Sequence, residues 1–509
     1  MMDVFSHERG LRQSVDWKIV GCYLLLVLIG WINIYASIHT PDSPSIFDWG
    51  SRSGKQFIWI LTALGLAALI LFVIPARLWE AVSVPLWVGV VVLLVAVIFL
   101  GIEVKGSRSW FEFGPVRFQP AEISKISTSL LLAGLLSRQG FKMGRPRDFL
   151  LMLAVVGIPM MMILAESETG SALVYIGFVL VLYREGLSGW WIALLGLVVV
   201  LFITTLTLSP YWSILILSAT LIAVNAMYSE KDFKLWFYIG GGFILLMAFV
   251  PALWNLVTTA VETEVRRRLL TFNLPAPGQN THYFWSFLAR IKPIWFLLAG
   301  TLIPLPWLSF RSFRTRDNFL GISLGAFLIG IALVFSTDFI FDNVLQDHQR
   351  RRIEVLLGMK EDPSGVGYNV AQSKIAIGSG GFFGKGYLNG TQTTYGFVPE
   401  QSTDFIFCTV GEEWGFLGSL LVIGLYAFLI FRLISDAEKS REHFTRIYGY
   451  CVAACIFMHL FINIGMTVGL MPVIGIPLPL LSYGGSSLWA FTILIFIFLA
   501  LYRQEKKYF

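Results

Sequence analysis

Charge is scarce in this chain: Asp, Glu, Lys and Arg make up 14% of its 509 residues, against 56% hydrophobic residues. That balance excludes a soluble globular protein, which has no use for so much apolar surface. The net charge of +6 is modest. In so apolar a chain it speaks to membrane orientation and anionic lipids, and no nucleic-acid partner is implied. Cysteines number four, Cys22, Cys408, Cys451 and Cys455, all in or beside apolar runs. Cys451 and Cys455 share a helix face at i, i+4, a poor arrangement for a disulfide, and no ligand cluster completes a metal site around them. They read as small apolar packing residues.

Nucleotide motifs are lacking too. The stretch SKIAIGSGGFFGKGYLNGTQTTYGFVPEQSTDF, residues 373–405, is Gly-rich, and closely spaced glycines can cradle phosphates. A P-loop needs Gly five residues before its Gly-Lys pair and Ser or Thr after the Lys, but Ser379 and Gly386 stand there. Phe383 occupies the place of the third Gly in a dinucleotide fingerprint.

Apolar sequence is what the chain has in quantity, with 42 Phe, 17 Trp and 17 Tyr to supply interfacial belts. The hydropathy pattern predicts an all-α fold, a polytopic transmembrane bundle of roughly fourteen spans. These fall at about 19–38, 57–74, 82–100, 123–137, 149–165, 170–184, 188–208, 211–228, 234–256, 293–310, 319–341, 404–432, 447–470 and 484–502. His7, Arg9, Arg12 and Lys18 precede the first run without a small-residue cleavage site, so this end reads as a retained span. With the amino terminus in the cytoplasm, SRQGFKMGRPRD, YREGLSG, YSEKDFK, FRSFRTRDN, RLISDAEKSREHFTR and the tail YRQEKKYF lie inside, each carrying Lys or Arg. The carboxyl terminus then also lies in the cytoplasm. Four longer segments lie outside, about 39–56, 101–122, 257–292 and the large loop 342–403. The Gly-rich stretch therefore faces away from cytoplasmic nucleotides. VETEVRRRLLTF (261–272) and LQDHQRRRIEVLL (345–357) form a weak echo, each with an Arg triplet after a span.

The outer face also collects charges near membrane ends: Arg108, Arg117, Glu122, Lys125, Arg350, Arg351, Arg352, Lys374, Lys385, Glu400 and Asp404. Basic groups at headgroup depth suit a phosphate or pyrophosphate; the plainer alternative is a solvated loop touching headgroups. In QPAEISK (119–125), Pro120 suits a first helical turn, and Glu122 and Lys125 share one face. They form either a functional intramembrane pair or a structural one at a helix start. In PEQSTDF (399–405), Ser402 or Thr403 is expected to cap a helix with Asp404 in its first turn, ionised by the helix dipole. Such a carboxylate can take a proton from a sugar hydroxyl or hold a divalent cation, or simply favour the helix start. GEEWG sets Glu412 and Glu413 in an apolar span. GLMPVIGIPLPLLSYGGSS (469–487), which contains Ser482 and Ser486, reads as an ordered re-entrant or outer loop. His459 and Asn463 read as interhelical hydrogen-bond partners.

Taken in order, FGPVRFQPAEISK, LQDHQRRRIEVLL, GYNVAQSKIAIGSGGFFGKGYLNGTQ, VPEQSTDFIF, GEEWG and MPVIGIPLPLLSYGGSS resemble the SEDS family of peptidoglycan glycosyltransferases, above all its elongation-type RodA branch. The resemblance implies a polymerase that joins lipid II into glycan strands outside the bacterial cytoplasmic membrane, with lipid pyrophosphate leaving and inversion at the sugar carbon. It makes Asp404 the essential aspartate, as general base or as ligand of a divalent cation (Mg or Mn), and makes Glu122 and Lys125, the family's charged pair, catalytic residues beside it. Lys125, with Arg108, Arg117 or Arg350, Arg351 and Arg352, would steady the pyrophosphate. Lys374, Lys385, Glu400, Ser482 and Ser486 complete the expected substrate-binding set. A class B penicillin-binding protein and other elongation-machinery proteins are implied as partners, beside membrane lipids, and neither nucleotide nor haem as cofactor.

Departures from the family pattern are local, apart from length. Ser109 stands before Trp110 where the family has Arg, and SETG places Glu168 where many members read PDxG. Family members have about ten spans, and the resemblance covers 1–208 and 319–509. A transmembrane block at 209–318 lies outside it. A many-span chain with buried carboxylates would also suit a flippase for lipid-linked precursors.

Overall fold

A computed structural model describes residues 15–39, 45–104, 107–113, 116–228, 233–270, 292–360 and 365–508. The basic residues His7, Arg9 and Arg12, most of the expected outer segment 257–292, and the side chains of the first Arg triplet lie outside the described residues.

Two compact units make up the chain: residues 1–189 with 351–509, and residues 190–350. The first begins with α1 (Trp17–Ile38), α2 (Arg52–Phe72) and α3 (Arg77–Leu100), then strands β1 (Ile102–Val104), β2 (Ser107–Phe113) and β3 (Val116–Phe118), then α4 (Pro120–Leu136) and α5 (Pro146–Ala165). A short broken pair follows, α6 (Thr169–Val174) and α7 (Phe178–Arg184). The second unit holds α8 (Trp190–Thr207), α9 (Pro210–Tyr228), α10 (Gly241–Leu270), α11 (Pro293–Leu302), α12 (Leu305–Thr315) and α13 (Asn318–Phe339). After α14 (Asp347–Leu356) the first unit is completed by α15 (Val366–Ser379), α16 (Thr391–Thr394), α17 (Ile406–Lys439), α18 (His443–Thr467) and α19 (Gly485–Tyr508).

Among the described residues, 12 helices are long and apolar enough to cross a membrane. Of the remaining two expected segments, Thr169–Arg184 is a shorter apolar helix interrupted by a 3-10 turn, and α4 is a 17-residue helix that carries Glu122 and Lys125. Helix starts follow local chemistry. The Asp16 carboxylate accepts from the Lys18 and Ile19 backbone N–H groups at the head of α1, Ser51 does the same for α2, and Pro120 and Pro146 occupy first turns.

The first unit's core runs through Ile19 and Leu26 of α1, Leu130 and Leu132 of α4, Tyr426 and Leu429 of α17, Tyr448 of α18 and Phe498 of α19, all fully enclosed. The second unit has its own core around Ile214, Leu217, Leu297 and Phe327. Side chains such as Phe99, Leu100, Phe249 and Leu256 stay exposed on helices of spanning length, the pattern of surfaces meant for lipid.

One element lies outside an all-helical reading. Strands β1 to β3 form an antiparallel sheet with Glu112 opposite Arg117 and Phe111 opposite Phe118. Within these strands IEV, FEF and VRF each alternate apolar and charged residues, a short period-2 signal.

Candidate active site

Glycines set the frame. Gly384 has φ +82° and packs so closely on α17 that a Cβ would run into the Glu413 carbonyl. Across this contact Lys385 N donates to Glu412 O (3.0 Å), Gly386 N to Glu413 O (3.0 Å) and Phe416 N to Gly381 O (2.9 Å). Helix α17 breaks at Gly415, φ 64°, to receive them. The Glu412 carboxylate completes the joint. It accepts from Lys385 Nζ (2.6 Å), Gln392 N (2.8 Å), and Thr393 N and Oγ1 (2.9 Å each). The Gly-rich stretch is thus a backbone-to-backbone docking strip, and Lys385 is its fastener.

Asp404 sits just beyond this strip, half-buried, in the turn that precedes α17. The expected cap does not form: the helix begins at Ile406 with Phe405 at the cap position and no side-chain cap bond. Other partners take Ser402 and Thr403. Arg52 Nη1 donates to Ser402 Oγ (2.5 Å), Tyr483 N to Ser402 O (2.9 Å), and Ser482 Oγ to Thr403 O (2.6 Å). Glu400 turns the chain with φ 52°, and Thr403 N and Phe405 N donate back to its carbonyl. Asn463 Nδ2 donates both to Asp404 O (2.8 Å) and to Ile476 O (2.7 Å). Gly475, φ +78°, faces the carboxylate: a Cβ there would lie 3.2 Å from Asp404 Oδ2.

Beside this turn runs a cleft lined by Arg352, Val355, Leu356, Val370, Lys374, Gly469, Met471, Pro472 and Val473. Arg352 Nη1 donates to Ile474 O (3.4 Å), next to the Gly475 that faces Asp404. Burial lowers the Arg352 pKa, and the carboxylates of Glu168 and Asp404 oppose that shift. The guanidinium stays charged. Lys374 lies over Gly469, whose missing Cβ leaves room for the ammonium. Two cations and an apolar wall therefore share one groove with a carboxylate at its edge.

Glu168 is held by residues that stand out in the sequence. Ser109 Oγ donates to Glu168 Oε1 (2.7 Å), and Ser107 Oγ lies 3.0 Å from the same oxygen. The Ser107 and Ser109 hydroxyls join the β-hairpin to the turn at 166–168. Beneath it Glu166 is 2% exposed, and neither of its carboxyl oxygens has a hydrogen-bond partner among the described residues. Burial, reinforced by Glu168, pushes the Glu166 carboxyl up to about 8.

Glu122 and Lys125 are enclosed inside the bundle, 3% and 0% exposed. Lys125 Nζ donates to Glu122 Oε1 (2.9 Å) and lies 2.8 Å from His459 Nε2, while His459 Nδ1 lies 3.2 Å from Pro477 O. With Nδ1–H donating to Pro477 O, Nε2 accepts from Lys125. The pair thus holds the 469–484 loop from beneath, and its ammonium does not open into the cleft. Its main partner, 334 residues away in sequence, was invisible to local pattern.

The other expected site residues divide. Arg352 and Lys374 line the cleft, Asp404 acts on the Arg352 charge from beside it, and Glu400 and Ser482 shape the Asp404 turn. Arg108 pairs with Glu103 (3.7 Å) and Arg117 with Glu112 (3.4 Å), both exposed on the hairpin. Arg350 pairs with Asp342 (3.1 Å), Arg351 is exposed, and Ser486 lies in the first turn of α19. Arg52, which bonds the Asp404 turn, carries no motif that marks it, and Gly475 lies in the MPVIGIPLPLLSYGGSS block without being singled out there.

Known proteins share this architecture. The model of the cell cycle protein family FtsW/RodA/SpoVE matches residues 16–220 and 318–507. The peptidoglycan glycosyltransferase RodA of Treponema pallidum is 29% identical over 479 residues, 93% of this chain and 94% of the relative. The peptidoglycan glycosyltransferase MrdB of Escherichia coli K12 is 28% identical over 428 residues, 84% of this chain and 79% of the relative. In fold, the chain is similar to one from a peptidoglycan synthase complex that coordinates polymerization and crosslinking (TM-score 0.58, 23% identity, 96% of this chain and 98% of that one). It is also similar to the rod shape determining protein RodA of Thermus thermophilus (TM-score 0.52, 20% identity, 96% and 97%). The family match covers both ends of the first unit and most of the chain, so the protein belongs to the FtsW/RodA/SpoVE family of cell cycle proteins.

Proposed function

We propose that this protein polymerises peptidoglycan glycan strands for cell elongation, using lipid II at the outer face of the bacterial cytoplasmic membrane. The observation that carries the reading is Asp404, a half-buried carboxylate on a rigidly tied turn, at the edge of a groove with two cations and an apolar wall. The names of the most similar relatives, peptidoglycan glycosyltransferases, point to the same chemistry.

A sugar hydroxyl of lipid II attacks the anomeric carbon of the growing chain. A C–O bond forms to the acceptor oxygen, and the C–O bond to the lipid pyrophosphate breaks with inversion. Asp404 takes the hydroxyl proton. The pyrophosphate leaves with the bonding electrons, its charge balanced by Arg352 and Lys374. Val355, Leu356, Val370 and Met471 offer the adjoining lipid an apolar wall. No nucleotide is spent in this step, because the activated bond arrives in the substrate. Glu122 and Lys125 serve here as positioning residues, acting through His459 and the loop.

A divalent cation is a further part of the proposal. Among the described residues no three His, Cys, Asp or Glu side chains gather to hold a metal. An ion held by the protein alone therefore does not fit. Mg or Mn carried in with the pyrophosphate would find in Asp404 a single carboxylate ligand. A class B penicillin-binding protein, within the elongation machinery, is the proposed crosslinking partner, in line with the complex to which the fold is similar.

The test is polymerisation of labelled lipid II by the purified protein with its partner. Asp404→Asn should lower the rate by about 10²- to 10⁴-fold, the worth of a general base. Normal polymerisation by this variant would remove the base from the mechanism. A wild type that moved lipid II between leaflets and made no glycan would replace the reading with a flippase.

A further inference from the structure

Beyond its break at Gly415, helix α17 carries no charge until Arg432. That residue is fixed: its Nε donates to the carboxylate of Asp16 (2.7 Å), which caps α1 where the first span begins. Phe416 stands sixteen residues before Arg432, a rise of about 24 Å. A hydrocarbon core is about 30 Å thick, so with Arg432 at the inner boundary Phe416 lies roughly 6 Å short of the outer one. One side of this stretch shows Phe416, Leu417, Leu420, Leu421, Phe428 and Phe431, all exposed, a stripe meant for lipid.

The Gly-rich strip extends this stripe upward. Helix α15 ends at Ser379, and the turn after it stacks Phe382 on Phe416 (5.6 Å, 23°) and sets Phe383 edge-on to Phe382 (5.0 Å, 80°). The two rings of the turn are 55% and 78% exposed. Its backbone is provided for without water. Gly381 O accepts from Phe416 N (2.9 Å) and Phe382 O from Leu417 N (3.2 Å), N–H groups released by the break at Gly415, and Gly384 N donates to Gly380 O (2.8 Å). Lys385, the next charge along, is matched by the Glu412 carboxylate (2.6 Å). Carbonyls paired in this way are what a turn needs where the bilayer supplies no hydrogen bonds.

We propose that the turn at 380–384 is a membrane wedge, with Phe382 and Phe383 set among the acyl chains of the outer leaflet just below the glycerol boundary. Depth selects this occupant, since a ring stacked on Phe416 lies within the hydrocarbon, and so does continuity with the lipid-facing stripe below it. Aromatic side chains favour that boundary. Helix α15, which carries Lys374 to the cleft, runs straight into the turn, so the wedge holds the cleft at the level where headgroups begin. The inference rests on the chain's spanning a membrane with this turn outside, and is independent of the catalytic reading.

The four native cysteines are buried, so a fluorophore on Phe383→Cys reports from the wedge alone. The full-length protein is placed in phosphatidylcholine nanodiscs without a partner, and the probe is quenched either by iodide in the water or by a nitroxide carried near the carboxyl end of the acyl chain. Glu112→Cys, on the charged hairpin, gives the aqueous reference. The acyl nitroxide should quench the Phe383→Cys probe several-fold more than the reference, and iodide several-fold less. Adding Phe382→Asp should return the probe to the aqueous pattern, and Phe382→Leu should not. Iodide quenching equal to the reference would mean a turn in water, open to a partner protein, and quenching by neither agent a turn covered by protein; either overturns the proposal. A membrane pattern that survives Phe382→Asp would assign it to the label and overturn it as well. Should the Asp variant misfold, a probe on Phe382→Cys must repeat the membrane pattern, and an aqueous pattern there is equally fatal.

Discussion

Lys125→Met is the sharpest perturbation the structure offers. The Lys125 and Glu122 side chains are 0% and 4% exposed and lie 2.9 Å apart. Removing the ammonium leaves a buried carboxylate whose other oxygen already lacks a partner among the described residues, and His459 loses its donor. Breaking one side of such a pair costs about 3–5 kcal/mol, because the remaining charge is stranded or must take a proton. Replacing both partners with apolar side chains of similar size removes the stranded charge, so Glu122→Met with Lys125→Met should recover most of the loss. With an unfolding entropy of about 2.1 cal/mol/K per residue, 509 residues turn each kcal/mol into roughly 1 °C. The single variant should therefore melt about 3–5 °C below wild type and the double within about 2 °C, compared at one scan rate in one detergent. A single variant as stable as wild type, or a double no better than the single, would refute the account of the pair as a mutually satisfied interior contact.

Gly475→Ala meets two obstacles, a positive φ worth about 1–2 kcal/mol of strain and a Cβ 3.2 Å from Asp404 Oδ2. Polymerisation should fall by roughly tenfold in kcat with little change in KM for lipid II, since the carboxylate is displaced and the groove is not; an unchanged kcat would separate Gly475 from the site. The Glu166 carboxyl, raised by burial from 4.5 to about 8, keeps its proton in the folded state over that window. Its contribution is full below about pH 4.5 and is lost as pH rises towards 8, at roughly 1.4 kcal/mol per unit, so Glu166→Gln should flatten the stability profile there. Thermal melts between pH 5 and 9 would show it, and parallel profiles for the two proteins would contradict it.

Long apolar helices were legible because hydropathy over about 20 residues is a local property, and even the two short members of the set, α4 and Thr169–Arg184, stood out as apolar runs. The exact start of α17 was not. Ser402 and Thr403 carry the side chains of a cap, yet Arg52, 350 residues away, claims the Ser402 hydroxyl, and the Thr403 hydroxyl donates back to Glu400. Lys125 looked like a charge at a membrane end because its sequence neighbours place it there. Its burial depends on His459 and Pro477, which only the packed bundle brings together. The hairpin at 102–118 shows the opposite case, a local alternation of strand type inside a chain whose composition argues for helices throughout. Asp404 itself was legible through its motif, and its setting was legible only in part, since Gly475 faces it from the next loop.

The rigidity of that setting follows from a demand that has nothing to do with catalysis. A non-helical loop among spanning helices cannot leave its carbonyls unpaired, because no water is there to receive them. Residues 469–484 contain Pro472, Pro477 and Pro479, which cannot donate to a regular ladder. Side chains therefore supply the missing partners. His459 reaches Pro477 O, Asn463 reaches Ile476 O, and Tyr426 reaches Pro479 O, all from helices α17 and α18. Asn463 spends its second N–H on Asp404 O, and Ser482, which accepts from Leu478 N (2.8 Å), donates to Thr403 O. Two of the groups that make the loop tolerable inside the bundle, Asn463 and Ser482, thus also hold the Asp404 turn. A substitution at either, chosen only to loosen the loop, must also move the carboxylate.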